Sequence, residues 1–321
     1  MQEFKLPEFT NNPNVVANMP VQEYFERKCK ELGLERFPKV DFVAIPVDHT
    51  GSQNAAEVVS VAKKNNSAIL LIENVESYAG NKDKLIKALE KAAKKEGFLT
   101  SPPIFYKELL DCAESSGVIL DTYEYKRQTL EDVVSYVMKV HKSNKIFKGL
   151  DLRPMYKSGD IETALTLIKN KLFSSGGFFD TQTEREFLML NNMGPRIFEM
   201  VSKNKKLLSL ENLKVAYFAG AYHEEGLIDK MIERGDSLEI VRPKNFTDFK
   251  VKRENMSFVF LAAGFFGVFC DEVNMDGSIL SPSNLYKYPK QILDLIIKAK
   301  KEKDPKSYFI EGYEKLVNSG I

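Results

Sequence analysis

Residues 41–52 read DFVAIPVDHTGS: an apolar run from Phe42 to Val47 opens into the polar turn Asp48-His49-Thr50-Gly51-Ser52. A short apolar run closed by turn residues is the pattern of a strand buried on both faces. Helical spacing follows from about Ala55 to Lys64, and then a second strand runs from Ser67 to Glu73. Strand, helix and strand in this order predict a parallel βαβ unit, because parallel neighbours need a long crossover and a helix usually supplies it.

The same rhythm extends outward. Residues 1–20, rich in Pro and Asn, form an irregular lead-in, and a helix is expected from Val21 to Leu32. Leu85, Ile86, Leu89, Ala92 and Ala93 recur at helical spacing within 83–95, with Lys and Glu on the other face. A helix from Ile104 to Ser116, a strand from Val118 to Tyr123 and a helix marked by Leu130, Val133, Val134, Val137 and Met138 come next. The pattern loosens over 142–180, where one helix, Glu162 to Leu172, and the joint Ser174-Ser175-Gly176-Gly177 suggest a lid or subdomain.

A long helix is expected from Thr183 to Val201, with Gly194-Pro195 as the place where it would break. Strand Lys214 to Gly220, helix Glu225 to Arg234 and strand Ser237 to Val241 resume the alternation, and helices at Gln291 to Lys301 and Tyr308 to Val317 end it. The apolar run Phe258 to Cys270 is expected to be a strand pair or strand-turn. The fold class predicted is α/β: a mostly parallel central sheet flanked by helices, with a helical insertion around 142–180. The chain, 1–321, is expected to be a single α/β domain.

Composition excludes several classes. Forty-six basic residues against forty-five acidic ones leave a net charge of +1, without the basic excess a nucleic-acid binder needs. Lysine groups such as Lys203 to Lys206 and Lys298 to Lys301 read as solvated helix ends. Cys29, Cys112 and Cys270 are odd in number and widely spaced, which predicts reduced thiols and a cytoplasmic location. Met1 to Pro13 lacks the basic start and apolar stretch of a secretory signal. Phe258 to Cys270 falls short of the ~20 apolar residues that cross a bilayer, so no membrane partner is expected. Neither a P-loop nor G-x-G-x-x-G is present, which disfavours a nucleotide fold. No G-x-S-x-G nucleophile turn occurs either.

The feature that carries chemistry is a faint internal repeat. A buried strand leads to a turn with His49, a helix, and a strand ending at Glu73. Later, a buried strand leads to a turn with His223, a helix, and a strand holding Glu239. Carboxyl ends of parallel strands are where ligands bind, because loops diverge there and helix N-termini point into the crevice. Of the three histidines, His141 continues the apolar stripe of its own helix, which leaves His49 and His223 as the candidate pair. Imidazole is a common transition-metal ligand and the usual proton carrier near neutral pH. Asp48, Glu224 and Glu225 adjoin the histidines in sequence, and Glu73 closes an aliphatic strand where an unpaired carboxylate would be costly.

These residues resemble the superfamily that unites erythromycin esterases, ChaN-like haem-binding proteins, and the TraB and Tiki proteins. Gly220-Ala-Tyr-His223 is similar to its second GxxH turn, Leu71-Ile-Glu73 to its strand-end acid, and Glu184-Arg185 with Met189 to its helix motif. The likeness spans roughly Asp41 to Val241. The sequence departs from the pattern twice: Pro46-Val-Asp-His49 lacks the glycine, and Glu186 stands where Asn or Asp is usual.

The resemblance implies hydrolysis of an ester or peptide bond, with a small-molecule or peptide as substrate. His49, His223 and Glu73 would hold a divalent transition metal or act as bases on water, and Arg185 would stabilise the developing oxyanion. The alternative is a ligand-binding protein of the same fold, with haem as the ligand, or a scaffold for interactions. The oligomeric state is not legible. With both histidines in turns at the sheet edge, their removal is expected to change stability by no more than about 1 kcal/mol.

Overall fold

The computed structural model describes residues 17–47, 52–72, 87, 101–122, 150–173, 178–243 and 250–319. Asp48, His49, Glu73 and His141 lie outside them, as do the helix expected at 130–138 and, apart from Lys87, the one at 83–95. Five strands, β1 (Lys39–Val47), β2 (Ile69–Ile72), β3 (Ile119–Thr122), β4 (Asn212–Gly220) and β5 (Leu238–Ile240), form one all-parallel sheet in the order β3-β2-β4-β1-β5. The protein is thus an α/β protein with a parallel sheet flanked by helices.

The strand order interleaves the repeat. β1 lies between β4 and β5, and β4 lies between β2 and β1, so each half supplies the neighbours of the other half's first strand. β1 and β4 pair along their whole length, Lys39 opposite Asn212 and Val47 opposite Gly220. The two strands that lead toward His49 and His223 are therefore central, adjacent and level at their carboxyl ends.

Burial on both faces explains the near-continuous apolar strands. Val40, Phe42 and Ala44 of β1 join Leu213, Val215, Tyr217 and Ala219 of β4 on one face. This face is covered by α1 (Val21–Glu31) and by the long helix that carries Met189, Met193 and Ile197. Val43, Ile45 and Val47 join Ala216 and Phe218 on the other, under Val58 and Ala62 of α2 (Ser52–Lys64) and Leu109 and Ala113 of α3 (Ser101–Ser116). Alternate residues thus point into two separate cores, as a pleat of period two requires.

The chain divides into two compact units, Met1–Val140 with Gln182–Asp248, and His141–Thr181 with Phe249–Ile321. The sheet belongs to the first. The second, among the described residues, holds α4 (Arg153–Ser158), α5 (Ile161–Phe173) and the first turn of α6 (Phe178–Lys203). In the first unit, α6 leads on to α7 (Lys205–Leu208), and α8 (Asp229–Glu233) precedes β5. The second unit ends with α9 (Met256–Val273), α10 (Pro282–Lys287), α11 (Pro289–Ala299) and α12 (Pro305–Asn318).

Three expectations change here. The run Phe258 to Cys270 is helical, the middle of α9, not a strand pair. Its only β-branched residues are Val259 and Val268, and thirteen residues is long for a strand. A helix buried on most sides loses the polar stripe that would reveal it. With its flanks it is also longer than the uninterrupted run: Arg253–Val273, 21 residues of mean hydropathy 1.7, is the one helix among the described residues long and apolar enough to cross a membrane, and half of it is buried within the chain.

The third change is at Gly194-Pro195, which does not interrupt α6. Pro195 removes the donor that the Asn191 carbonyl would use, a defect worth roughly 3 kcal/mol in an isolated helix. Packing against α1 offsets it. A Cβ on Gly194 would stand 3.2 Å from the Tyr24 ring, so the glycine lets the two helices approach, and Phe198 meets Phe25 edge-on at 5.3 Å.

Aspartates cap helices of the second unit. Asp304 accepts from the Ser307 N–H at 3.1 Å ahead of α12, and Asp160 accepts from the Thr163 N–H at 3.1 Å ahead of α5. The hydrogen bonds from Ser307 hold the Asp304 carboxyl below its usual range. A depressed carboxyl stabilises the fold above its unfolded pKa, about 3.9, and loses that contribution as pH falls through the folded value. Asp304→Asn, which keeps the cap without the charge, should therefore differ from wild type most at neutral pH and converge with it in acid. Denaturant midpoints at several pH values check this; a gap that widens in acid would refute it.

Candidate functional site

β4 ends at Gly220, and the 3-10 turn Ala221–His223 carries the chain past the sheet edge. His223 closes that turn at φ −90°, ψ −2°, and Glu224–Ile228 then form a π-helix before α8. The helix expected from Glu225 to Arg234 is thus π in its first part. Single π turns are uncommon and recur at functional sites.

His223 is not an exposed turn residue: 1% of it is accessible. Its Nδ1 lies 3.0 Å from Oε1 of Glu186, which is 3% exposed and sits on α6. The expectation that His223 could be removed at small cost is therefore corrected. Removing the ring would leave a buried carboxylate without its imidazole partner.

Glu224 and Glu225 are nearer to His223 in sequence, but Glu224 is turned elsewhere. Buried itself, it takes both guanidinium nitrogens of Arg242, with Nη1 3.1 Å from Oε2 and Nη2 on Oε1. Such two-pronged pairs fix orientation as well as charge. Arg242 lies two residues beyond β5, so the pair joins the segments that follow the two neighbours of β1. Tyr217 of β4 lies in the same field: burial pushes its phenol well above the usual range, Asp236 adds to the shift, Arg234 opposes it, and Glu224 adds again.

Arg185, one position before Glu186, is also buried, and its Nη1 donates to Gln182 Oε1 at 2.8 Å. Glu239, the counterpart of Glu73 in the repeat, is exposed on β5. His49 and Glu73 lie outside the described residues. Of the three side chains expected to share a metal, His223 alone is described, and its Nδ1 faces Glu186. Among the described residues no three His, Cys, Asp or Glu side chains gather as a metal-holding set.

The sequence marks Glu186 only as a departure from the resembled motif and does not single out Arg242. Glu186 lies three and four positions before Met189 and Leu190, and seven before Met193, which puts an acid on the apolar stripe of α6. That misplaced charge was the available signal. Arg242 is the first charged residue after β5, level with the other strand ends, but nothing in its neighbours sets it apart. Comparison with known proteins yields no matching family model, no matching curated protein and no matching solved structure.

Proposed function

We propose that this protein is a hydrolase acting on an ester or peptide bond, with His223 as general base and Arg185 as the cation that stabilises the oxyanion. The observation that carries the reading is a buried imidazole held by a carboxylate just beyond the carboxyl end of a central parallel strand. The neutral ring takes a proton from water, and the resulting hydroxide adds to the carbonyl carbon. The tetrahedral intermediate collapses, and the imidazolium returns its proton to the departing oxygen or nitrogen. His49 and Glu73 complete the site in this proposal, as the resemblance to the erythromycin esterase, ChaN-like, TraB and Tiki superfamily implies. Three free thiols support work in a reducing compartment, the cytoplasm.

The test is to assay the purified full chain on a panel of carboxylic esters and short peptides while measuring bound metal and the visible spectrum. Turnover that disappears in an Arg185→Met variant supports the proposal. A haem absorption band without turnover favours the ligand-binding reading, and no turnover with no bound group favours the scaffold.

A further inference from the structure

Resting on that reading, we propose that Glu186 is the positioning residue of the site: its Oε1 keeps a proton on Nδ1 of His223, so that Nε2 carries the lone pair that serves as the base. Ionised Glu186 only accepts hydrogen bonds, so its oxygen 3.0 Å from Nδ1 places the proton on that nitrogen when the ring is neutral. The opposite tautomer would set two lone pairs against each other in a buried place. Both partners are almost wholly buried, where water cannot substitute for either and the interaction is stronger than at the surface.

The backbone supports the same geometry. Glu186 is the ninth residue of a 26-residue helix, and His223 closes a 3-10 turn that runs directly into a π-helix. The other adjacent acid whose partner is known, Glu224, is taken by Arg242 and is not the orienting group. A glutamate at this position has one methylene more than the Asp or Asn of the resembled motif, which lengthens its reach from α6 to the ring. The departure from the motif thus coincides with the residue that holds the imidazole.

The wild-type chain itself supplies the decisive measurement. It has three histidines, so long-range proton–nitrogen correlation spectra contain three imidazole patterns. A chain carrying His49→Gln and His141→Gln identifies that of His223. At alkaline pH the proposal expects a protonated Nδ1 and a bare Nε2, and it expects Glu186→Gln to convert this pattern into a mixture of tautomers. A protonated Nε2 in wild type, or an unchanged pattern in Glu186→Gln, would overturn it. On the esters or peptides that wild type hydrolyses, Glu186→Gln should lower kcat about 100-fold with KM little changed, and Glu186→Asp should restore part of the loss. The spectra decide the tautomer whether or not turnover is found, so a failed hydrolase reading and a failed positioning role give different results.

Discussion

Replacing His223 by asparagine should remove most hydrolysis while leaving the fold nearly as stable as wild type. The Asn amide can stand near the place of Nδ1 and still donate to Glu186, but it offers no basic nitrogen, so kcat should fall by roughly 10²–10⁴. Alanine should be worse in a different way. It removes the donor as well, and the buried carboxylate left behind should cost about 3 kcal/mol of stability. Hydrolysis rates and denaturant midpoints for wild type, His223→Asn and His223→Ala separate the two roles. Full turnover in His223→Asn would make the histidine a strut inside the protein. If His49 acts on the same water, His49→Ala combined with His223→Asn should be little slower than either alone, because residues that work as a unit are not additive.

Arg242→Ala should be the most destabilising single change at the sheet edge. Glu224 is almost fully buried, and truncating its partner strands the carboxylate, which typically costs about 3–5 kcal/mol. The double variant Arg242→Met with Glu224→Gln should recover most of that loss, since an uncharged pair has little to desolvate. Urea midpoints at constant m-value provide the measurement. A loss under about 1 kcal/mol for Arg242→Ala would place the pair with ordinary surface ion pairs.

Much of the fold was legible because its strands are short, apolar and bounded by turns. β1, β2 and β4 follow from runs such as Phe42 to Val47, and the α/β class follows from their alternation with helices. The repeat points to neighbouring strands beneath His49 and His223, as the pairing of β1 with β4 has it, but the full order of the five strands is not legible, since it depends on contacts far apart in sequence. The apolar run within α9 reads as strand because burial on most sides erases helical periodicity. At the site, His223 and Arg185 stood out by type and position. Glu186 is marked as an acid on the apolar stripe of α6, but its pairing with His223 is not legible, since the two lie 37 residues apart.

The interleaved strand order has a consequence for how the protein is made. Lys39 through Val47 have no strand beside them until Asn212 through Gly220, or Leu238 through Ile240, have been synthesised. At ~5–20 residues per second, β1 spends roughly ten to thirty seconds on the ribosome as an unpaired apolar segment. Neither half can close a sheet alone, because β2 is separated from β1 by β4 and meets β1 across no hydrogen bond. Contacts of such long sequence separation slow folding and leave nascent chains open to aggregation. Truncation before Asn212 should therefore yield insoluble protein rather than a smaller domain.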